Sequence, residues 1–141
     1  KAMFNAKYTP GTLTAVAYEE GGKEISRQEL KSATGKICIA VKPELTSAKS
    51  DEIVYVPVSL IGENGVVESN ADRKLTVTVQ GGELLAFGSA NPCTEEQYHT
   101  GSFTTYYGRA LAVVRVKEET TVIITDGSQM TTAVIALDEK Y

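Results

Sequence analysis

The sequence predicts an all-β protein, and three observations lead to that fold class. Nearly every patterned segment of the 141-residue chain alternates between apolar and polar residues with a period of two, as a strand with one buried face does. No segment of helical length carries an apolar stripe with a period of 3.6 residues. Turn-forming Gly, Pro and Asn residues separate the alternating segments, as expected for antiparallel strands joined by short turns.

The first elements lie within residues 1–34. The segment LTAVAY places Leu13, Ala15 and Ala17 on one face, and Gly21-Gly22 follows it as a hairpin loop would. The next segment, SRQELKSA, fits a strand between turns or one to two helical turns. So few strands cannot close a sandwich alone, so we expect this group to depend on partner strands.

From Gly35 onward the pattern contains roughly seven short strands, which is the count for an immunoglobulin-like sandwich. In IVYVPVSLI, one face carries Val54, Val56, Val58 and Leu60. The remaining segments are KICIAV, RKLTVTVQ, GELLAFG, ALAVVRV, TTVIIT and TTAVIAL. The predicted fold is therefore an immunoglobulin-like antiparallel β-sandwich, preceded by a few strands of a second small β-domain.

Residue pairs that contain glycine mark the predicted turns between these strands. Asn64-Gly65, Gly81-Gly82 and Asp126-Gly127 each follow an alternating segment, and glycine supplies the positive φ that tight turns need. Pro57 lies inside a strand pattern. Because proline has no N–H to donate to a ladder, we expect it at a sheet edge or at a bulge.

Charge and hydropathy exclude several classes of partner. The net charge of −4 and the lack of a Lys/Arg stripe argue against nucleic-acid binding. No apolar run reaches the length of a membrane span, so a membrane is not an expected partner.

The first residues lack the apolar core of a signal peptide, and we expect a piece of a longer chain or a mature form. Two cysteines make no disulfide framework, so we expect Cys38 and Cys93 to be unrelated thiols.

Residues 89–110, SANPCTEEQYHTGSFTTYYGRA, hold the densest set of reactive and stacking side chains. A nucleophilic thiol needs a lowered pKa and an orienting third group, so we interpret Cys93 and the single histidine, His99, as loop residues. Neighbouring residues of a strand point to opposite faces, so Glu95 and Glu96 are not aimed at one bond. The spacing in PCTEEQ is that of a capping box, which predicts a short helical turn, the alternative being a solvated loop.

The aromatic residues of this segment are the candidate binding residues. Aromatic rings stack on sugars and also anchor protein interfaces. The interpretation that we favour is that alternate residues of FTTYY pack inward and pin the loop, while sugar binding and a docking surface stay open. The candidates for carbohydrate binding or for an interface are Tyr98, His99, Phe103, Tyr106 and Tyr107.

No catalytic residue, metal site or cofactor is expected. Zinc sites need several Cys and His ligands at set spacings, and the acidic stretches near Asn64 and Asn70 lack EF-hand spacing. No glycine-rich phosphate-binding motif is present. In Gly108-Arg109, we expect Gly108 to supply positive φ or a bulge and Arg109 to pair with a loop carboxylate.

Several motifs also occur in the order found in a known family. They are Val56 and Val58, Glu63-Asn64-Gly65, residues 77–82 entering a Gly-rich corner, Ser89-Ala90-Asn91-Pro92 and Gly108-Arg109-Ala110. This series resembles the C-terminal immunoglobulin-like domain of bacterial family 2 glycoside hydrolases, the β-galactosidase-like enzymes. Upstream, YTPGTLTAVAY resembles the last hairpin of the small β-domain that precedes this module. The resemblance implies that residues 1–34 are terminal strands of a preceding β-sandwich module and that residues 35–141 form the C-terminal domain.

The resemblance implies a function for a larger protein. Family members hydrolyse O-glycosyl bonds in carbohydrate metabolism with two carboxylates on a TIM barrel, and a barrel takes about 250 residues of alternating strands and helices. The implied role of this chain is non-catalytic packing or assembly, with the catalytic barrel and other domains of the parent enzyme as partners. The alternatives are a carbohydrate-binding module using Tyr98, Tyr106 and Tyr107, and an adhesin-type bacterial immunoglobulin-like domain. The compartment stays open between cytoplasm, periplasm and secretion.

Overall fold

A computed structural model describes residues 3–138 of the chain, and these residues form nine β-strands and no helix. The strands are β1 (Thr12–Tyr18), β2 (Glu24–Lys31), β3 (Cys38–Val41), β4 (Ser47–Ala48), β5 (Ile53–Ile61), β6 (Lys74–Gly88), β7 (Ser102–Thr104), β8 (Arg109–Thr125) and β9 (Met130–Leu137). The predicted all-β class is confirmed. Within the same residues, no helix has the length and apolar character needed to cross a bilayer.

The first two strands form a hairpin with its own two-stranded sheet. β1 and β2 pair antiparallel from Thr12↔Lys31 to Tyr18↔Glu24, and Gly22 in the connection has φ of +78°. Residues 26–31 of the segment SRQELKSA are therefore in a strand, and the segment forms no helical turn. Leu13 and Leu30 lie directly opposite each other, and both are exposed.

The remaining strands build a sandwich in which two long strands, β6 and β8, contribute to both layers. In one layer β3, β5, residues 109–116 of β8 and residues 82–88 of β6 lie side by side. In the other layer β9, residues 120–125 of β8, residues 74–80 of β6 and β7 do so. The order β3-β5-β8-β6 follows the A-B-E-D order of an immunoglobulin-like sheet. ALAVVRV and TTVIIT, which we predicted as separate strands, are the two halves of β8.

Gly81 marks the bend where β6 passes from one layer to the other. The pairing of β6 with β8 shifts register between Gln80 and Gly82, and Gly81 has φ of +71°. A Cβ at Gly81 would lie 2.1 Å from the carbonyl oxygen of Glu119, so no larger residue fits there. The buried Thr120 hydroxyl lies 2.9 Å from the Gly81 carbonyl oxygen, to which it can donate. The prediction of a turn at Gly81-Gly82 is wrong, because the strand bends there and continues.

The core lies between the two layers and is filled by the alternating positions that the sequence predicted. On β5, Val54, Val56, Val58 and Leu60 are buried to 99% or more. The matching positions on β8 belong to the same cluster: Ala110, Ala112, Val114, Val116, Val122 and Ile124. Inward-facing side chains from two sheets interdigitate in this way in a β-sandwich.

Two details of the pairing differ from expectation. Pro57 lies in an interior strand without a bulge, because β5 pairs with β3 on one side and with β8 on the other in continuous register. Its carbonyl accepts from Lys42, so its missing N–H faces the point just past Val41 where the β3 ladder ends. The short strand β4 pairs in parallel with β9, the one parallel pair among the described strands.

Candidate functional site

The loop of residues 89–108 connects β6 to β8 and is held from below by Phe103. This ring on β7 is fully buried in the core. Phe103 faces Leu75 across the β6–β7 pair. Phe103 is therefore part of the core and cannot itself touch a sugar or a partner.

Tyr98 lies above Phe103 and covers a glycine. The two rings stack with centroids 5.1 Å apart and an interplanar angle of 11°. The backbone N–H of Phe87 donates to the Tyr98 carbonyl at 2.8 Å. A Cβ at Gly88 would lie 2.2 Å from the Tyr98 ring, so this ring can pack here only because residue 88 is glycine.

Asp72 fastens the C-terminal end of the loop. One carboxylate oxygen accepts hydrogen bonds from the Thr105 hydroxyl at 3.1 Å and from the Gly108 N–H at 3.0 Å. Gly108 has φ of +67°, which confirms its predicted role. A Cβ there would lie 2.4 Å from the Glu68 carbonyl oxygen, so both φ and space require glycine.

Glu96 fastens the middle of the loop. Its two carboxylate oxygens accept from the Thr104 backbone N–H and from the Thr104 hydroxyl, both at 3.0 Å. Glu95 is exposed, so the two carboxylates do not face one site. The predicted helical turn is absent from this described segment. The Glu96 N–H instead donates to the Thr94 hydroxyl at 3.1 Å, a local bond that competes with helix formation.

Cys93 and His99 do not form a catalytic pair. Both side chains are exposed, and no hydrogen bond joins them within the described residues. Cys38 and Cys93 are both free thiols, as we predicted.

The outer side of the loop forms an open groove of about 600 Å³ with the outer face of the β3-containing layer. Its walls are Tyr98, Tyr106 and Tyr107, and its floor includes Ala86, Leu111 and Val113 from β6 and β8. Leu111 and Val113 alternate with the buried Ala112 and Val114. The loop therefore brings three of the five candidate residues to one site, while Phe103 lies beneath it and His99 is not among its lining residues.

A tight turn projects the two adjacent tyrosines into this groove. Tyr106 and Arg109 exchange backbone hydrogen bonds of 2.9 and 3.1 Å, and the central residues Tyr107 and Gly108 both have positive φ, +50° and +67°. These are the features of a type I′ turn, which favours Asn and Gly at its centre. The Tyr106 and Tyr107 rings pack edge to face, with their centroids 4.5 Å apart. The Tyr107 hydroxyl is the main cause of a raised pKa at Tyr106.

The apolar surface continues from the groove across the neighbouring strand. Tyr55 lies directly opposite Val113, and Pro57 lies opposite Leu111, so all four share the outer face. Tyr55 and Leu111 are 47% and 39% exposed. This surface was not predicted from the sequence, although β5 carries apolar residues on both of its faces, a pattern that indicates a strand covered on both faces.

Arg109 stands at the groove, and among residues 3–138 it has no carboxylate partner. The three other arginines each pair with a carboxylate, in Arg27–Glu24, Arg73–Asp126 and Arg115–Glu83. Within residues 3–138 no salt bridge includes Arg109. The expected pairing of Arg109 with a loop carboxylate is therefore wrong. Ser89 also lines the groove, and its buried hydroxyl has no hydrogen-bond partner in the part of the chain that the structure describes.

Comparisons with known proteins identify relatives of this sandwich. The family described as glycoside hydrolase family 2 C-terminal domain 5 matches residues 37–135. A β-galactosidase of Bacteroides ovatus is 27% identical over 115 residues, which are 79% of this chain and 13% of that protein. This chain thus spans about an eighth of that relative.

Solved structures also resemble most of this chain, and again the chain corresponds to a small part of each of them. A glycosyl hydrolase family 2 member from Bacteroides cellulosilyticus superposes with a TM-score of 0.83 at 26% identity, covering 92% of this chain and 19% of that one. A β-glycosidase from Bacteroides vulgatus gives a TM-score of 0.75 at 20% identity, covering 92% and 18%. The second likeness concerns the fold alone.

Proposed function

The chain belongs to the glycoside hydrolase family 2 C-terminal domain 5 family, and from that membership we propose that it is a non-catalytic β-sandwich domain of a β-galactosidase-type enzyme. The parent in this proposal hydrolyses O-glycosyl bonds in carbohydrate metabolism. The curated relative, of which this chain spans 13%, is a β-galactosidase, which supports the proposal. The partners of the chain are then the catalytic barrel and other domains of the same polypeptide.

The observation that carries the docking role is the apolar outer face around the groove. Tyr55, Leu111, Val113 and the tyrosine walls lie together on one layer of the sandwich. Contiguous exposed apolar surface of this kind marks an interaction site on a soluble protein. Interfaces are enriched in tyrosine and arginine at their centres, and the groove carries both.

The residues that line the groove also argue against chemistry at this site. Retaining glycosidases place two carboxyl groups about 5–5.5 Å apart. The groove is lined by tyrosines, small and aliphatic residues, Ser89 and Arg109, and no Asp or Glu of residues 3–138 lines it. The proposal therefore assigns bond cleavage to another part of the parent enzyme.

In the same proposal, residues 1–34 are the terminal strands of a preceding β-sandwich module. Leu13 and Leu30 form an exposed apolar pair on one face of the hairpin, and both outer strand edges are unpaired within the described residues. A two-stranded hairpin is marginally stable in water without further strands or packing. Additional strands of the parent protein would cover that face and those edges.

A paired substitution tests the docking role. Leu111→Glu places a charge on the groove floor, whereas Val134→Glu places one on β9 in the other layer, at a residue that is 51% exposed. We expect Leu111→Glu to lower the Tm of the full-length enzyme and to leave the Tm of the 141-residue chain nearly unchanged. Val134→Glu is expected to change neither. Equal Tm losses for Leu111→Glu in both proteins would refute a docking role.

The activity itself needs a separate assay. The full-length protein is expected to release nitrophenol from nitrophenyl β-galactoside, and the 141-residue chain is expected to release none. Cleavage by the isolated chain would overturn the non-catalytic assignment.

Sugar binding is the second candidate, because Tyr98 and Tyr107 expose more than half of their surface and such rings stack on sugars. Calorimetric titration of the 141-residue chain with galactose and with galacto-oligosaccharides tests it. Heat that disappears in the Tyr106→Ala/Tyr107→Ala variant would establish this candidate, and no heat would remove it. Family membership favours an enzyme domain over the adhesin-type alternative.

A further inference from the structure

The strongest unexplained feature of the molecule is a cation at the edge of an apolar groove. Arg109 lines the groove beside Tyr106 and Tyr107, and it alone of the four arginines has no carboxylate partner in the described part of the chain. The chain as a whole carries an excess of acidic residues, so the lack of a partner is a local property of this surface.

We propose that the groove receives a segment of another domain of the same polypeptide, which inserts an apolar side chain between the tyrosine walls and places a carboxylate against Arg109. This inference rests on the proposed docking function and names the chemistry of the partner. A guanidinium offers a planar fork that fits a carboxylate with two parallel hydrogen bonds. Arginine and tyrosine are also the residues that most often dominate binding energy at interfaces.

The floor of the groove determines the apolar part of the partner. Ala86, Leu111 and Val113 present only carbon atoms from their side chains, so they match an aliphatic or aromatic anchor. Ser89 supplies a buried hydroxyl that lacks a hydrogen-bond partner from any of the described residues. A hydroxyl in that state costs free energy until it is satisfied, and a backbone or carboxylate group of an inserted segment would satisfy it.

The surface around the groove favours a protein segment over a sugar. A sugar presents hydroxyl groups on most sides, and the groove offers few polar groups to meet them. The apolar face continues beyond the groove to Tyr55 and Pro57, which a small sugar would leave uncovered. A flat apolar margin around a central anchor is instead typical of a protein interface, because it excludes water from the anchor.

Hydroxyl-radical footprinting of the tyrosine rings tests the inference in the full-length polypeptide and in the 141-residue chain. The variants are Arg109→Glu, Arg109→Lys and the control Lys49→Glu, which makes the same change of charge at an exposed lysine without a salt bridge in the described residues. We expect oxidation of Tyr106 and Tyr107 to be slow in the wild-type full-length protein and fast in the 141-residue chain.

Charge reversal is expected to open the interface. Removing one partner of a buried charge pair leaves the other charge buried and uncompensated, so we expect Arg109→Glu to raise the oxidation rate in the full-length protein about tenfold or more. Arg109→Lys keeps the charge but loses the fork, and an intermediate rate is expected. Lys49→Glu is expected to match the wild type. Because Arg109 has no salt bridge within the described residues, the Tm of the 141-residue chain should stay the same in Arg109→Glu.

The outcomes separate this inference from the docking role. Equal tyrosine oxidation in the two wild-type proteins would overturn both. If the tyrosines of the full-length protein stay protected in Arg109→Glu, the docking role is retained and the pairing of Arg109 with a carboxylate is overturned. NMR shifts of Tyr106 on adding glucuronate or galactose to the 141-residue chain, lost in Arg109→Glu, would make a sugar the occupant. Sedimentation as a dimer that Arg109→Glu dissociates would make it a second copy of this chain. Either of these last two results overturns the inference.

Discussion

The two sides of the 89–108 loop differ in how much of their structure serves the domain itself. On the inner side, Phe103 is fully buried and Glu96 binds Thr104 twice. On the outer side, Tyr107 is 60% exposed at a positive φ of +50°, and Arg109 has no salt bridge in the described residues. Tyrosine in that backbone region is strained relative to Gly or Asn. The inner side stabilises the sandwich, and the outer side has features that its own fold does not need.

The largest expected effect comes from the inner side. Phe103→Ala removes a fully buried ring, and a change of this kind costs about 3–5 kcal/mol of unfolding free energy. Urea denaturation of the 141-residue chain measures it, with Tyr107→Ala as the exposed aromatic control. Comparable losses for the two variants would remove the distinction between the two sides of the loop.

A smaller effect is expected where the two sides meet. Gly88→Ala places a methyl group against the Tyr98 ring, and overpacking of this kind typically costs about 1–3 kcal/mol. In a Tyr98→Ala background the same substitution should cost much less, because the obstructing ring is gone. Gly21→Ala, which meets open space, serves as the control. If the losses of unfolding free energy were additive in the double variant, the packing of the Tyr98 ring against Gly88 would be contradicted.

The base of the loop should respond to acid. Arg73 binds Thr105 through its backbone and forms a salt bridge with Asp126. Backbone hydrogen bonds from Gln129 and Ser128, with that arginine, lower the pKa of Asp126 to about 2. Because the folded pKa lies below the unfolded value, this stability is present above about pH 4 and is lost as pH falls toward 2, on the order of 2 kcal/mol in total.

The measurement is the unfolding free energy of the 141-residue chain between pH 5 and pH 2. We expect the part of the acid-induced loss that belongs to Asp126 to be missing in Asp126→Asn. An Asp126→Asn variant that loses stability in acid as steeply as the wild type would show that another carboxylate dominates.

The sequence predicted the inner faces of the strands because burial follows the period of the pleat. Alternation placed Val54, Val56 and Val58 correctly, and Asp126-Gly127 was a correct turn, with the Asp126 N–H donating to Gln129. Gly81-Gly82 was predicted as a turn and is a bend, because its geometry depends on the close approach of Glu119. That contact joins distant parts of the chain and has no local signature.

The candidate site was predictable in part. Alternation in FTTYY correctly indicated that Phe103 and Thr105 face inward, since both are buried. The same rule would bury Tyr107, but the turn closed by Tyr106 and Arg109 reverses the chain and turns that ring outward. The groove floor on β6 and β8 was not predicted, because it exists only once the loop folds over a sheet built from distant segments.

The smallest effect in the isolated chain gives the most direct test of the account. The Tyr106→Ala/Tyr107→Ala variant loses an exposed edge-to-face pair, which is worth about 0.5–1.5 kcal/mol at most. Urea denaturation is measured for this variant in the 141-residue chain and in the full-length polypeptide, where we propose that the outer side docks against another domain. We expect a loss within that range in the chain and a clearly larger loss in the full-length protein. The same loss in both proteins would contradict a docked outer side.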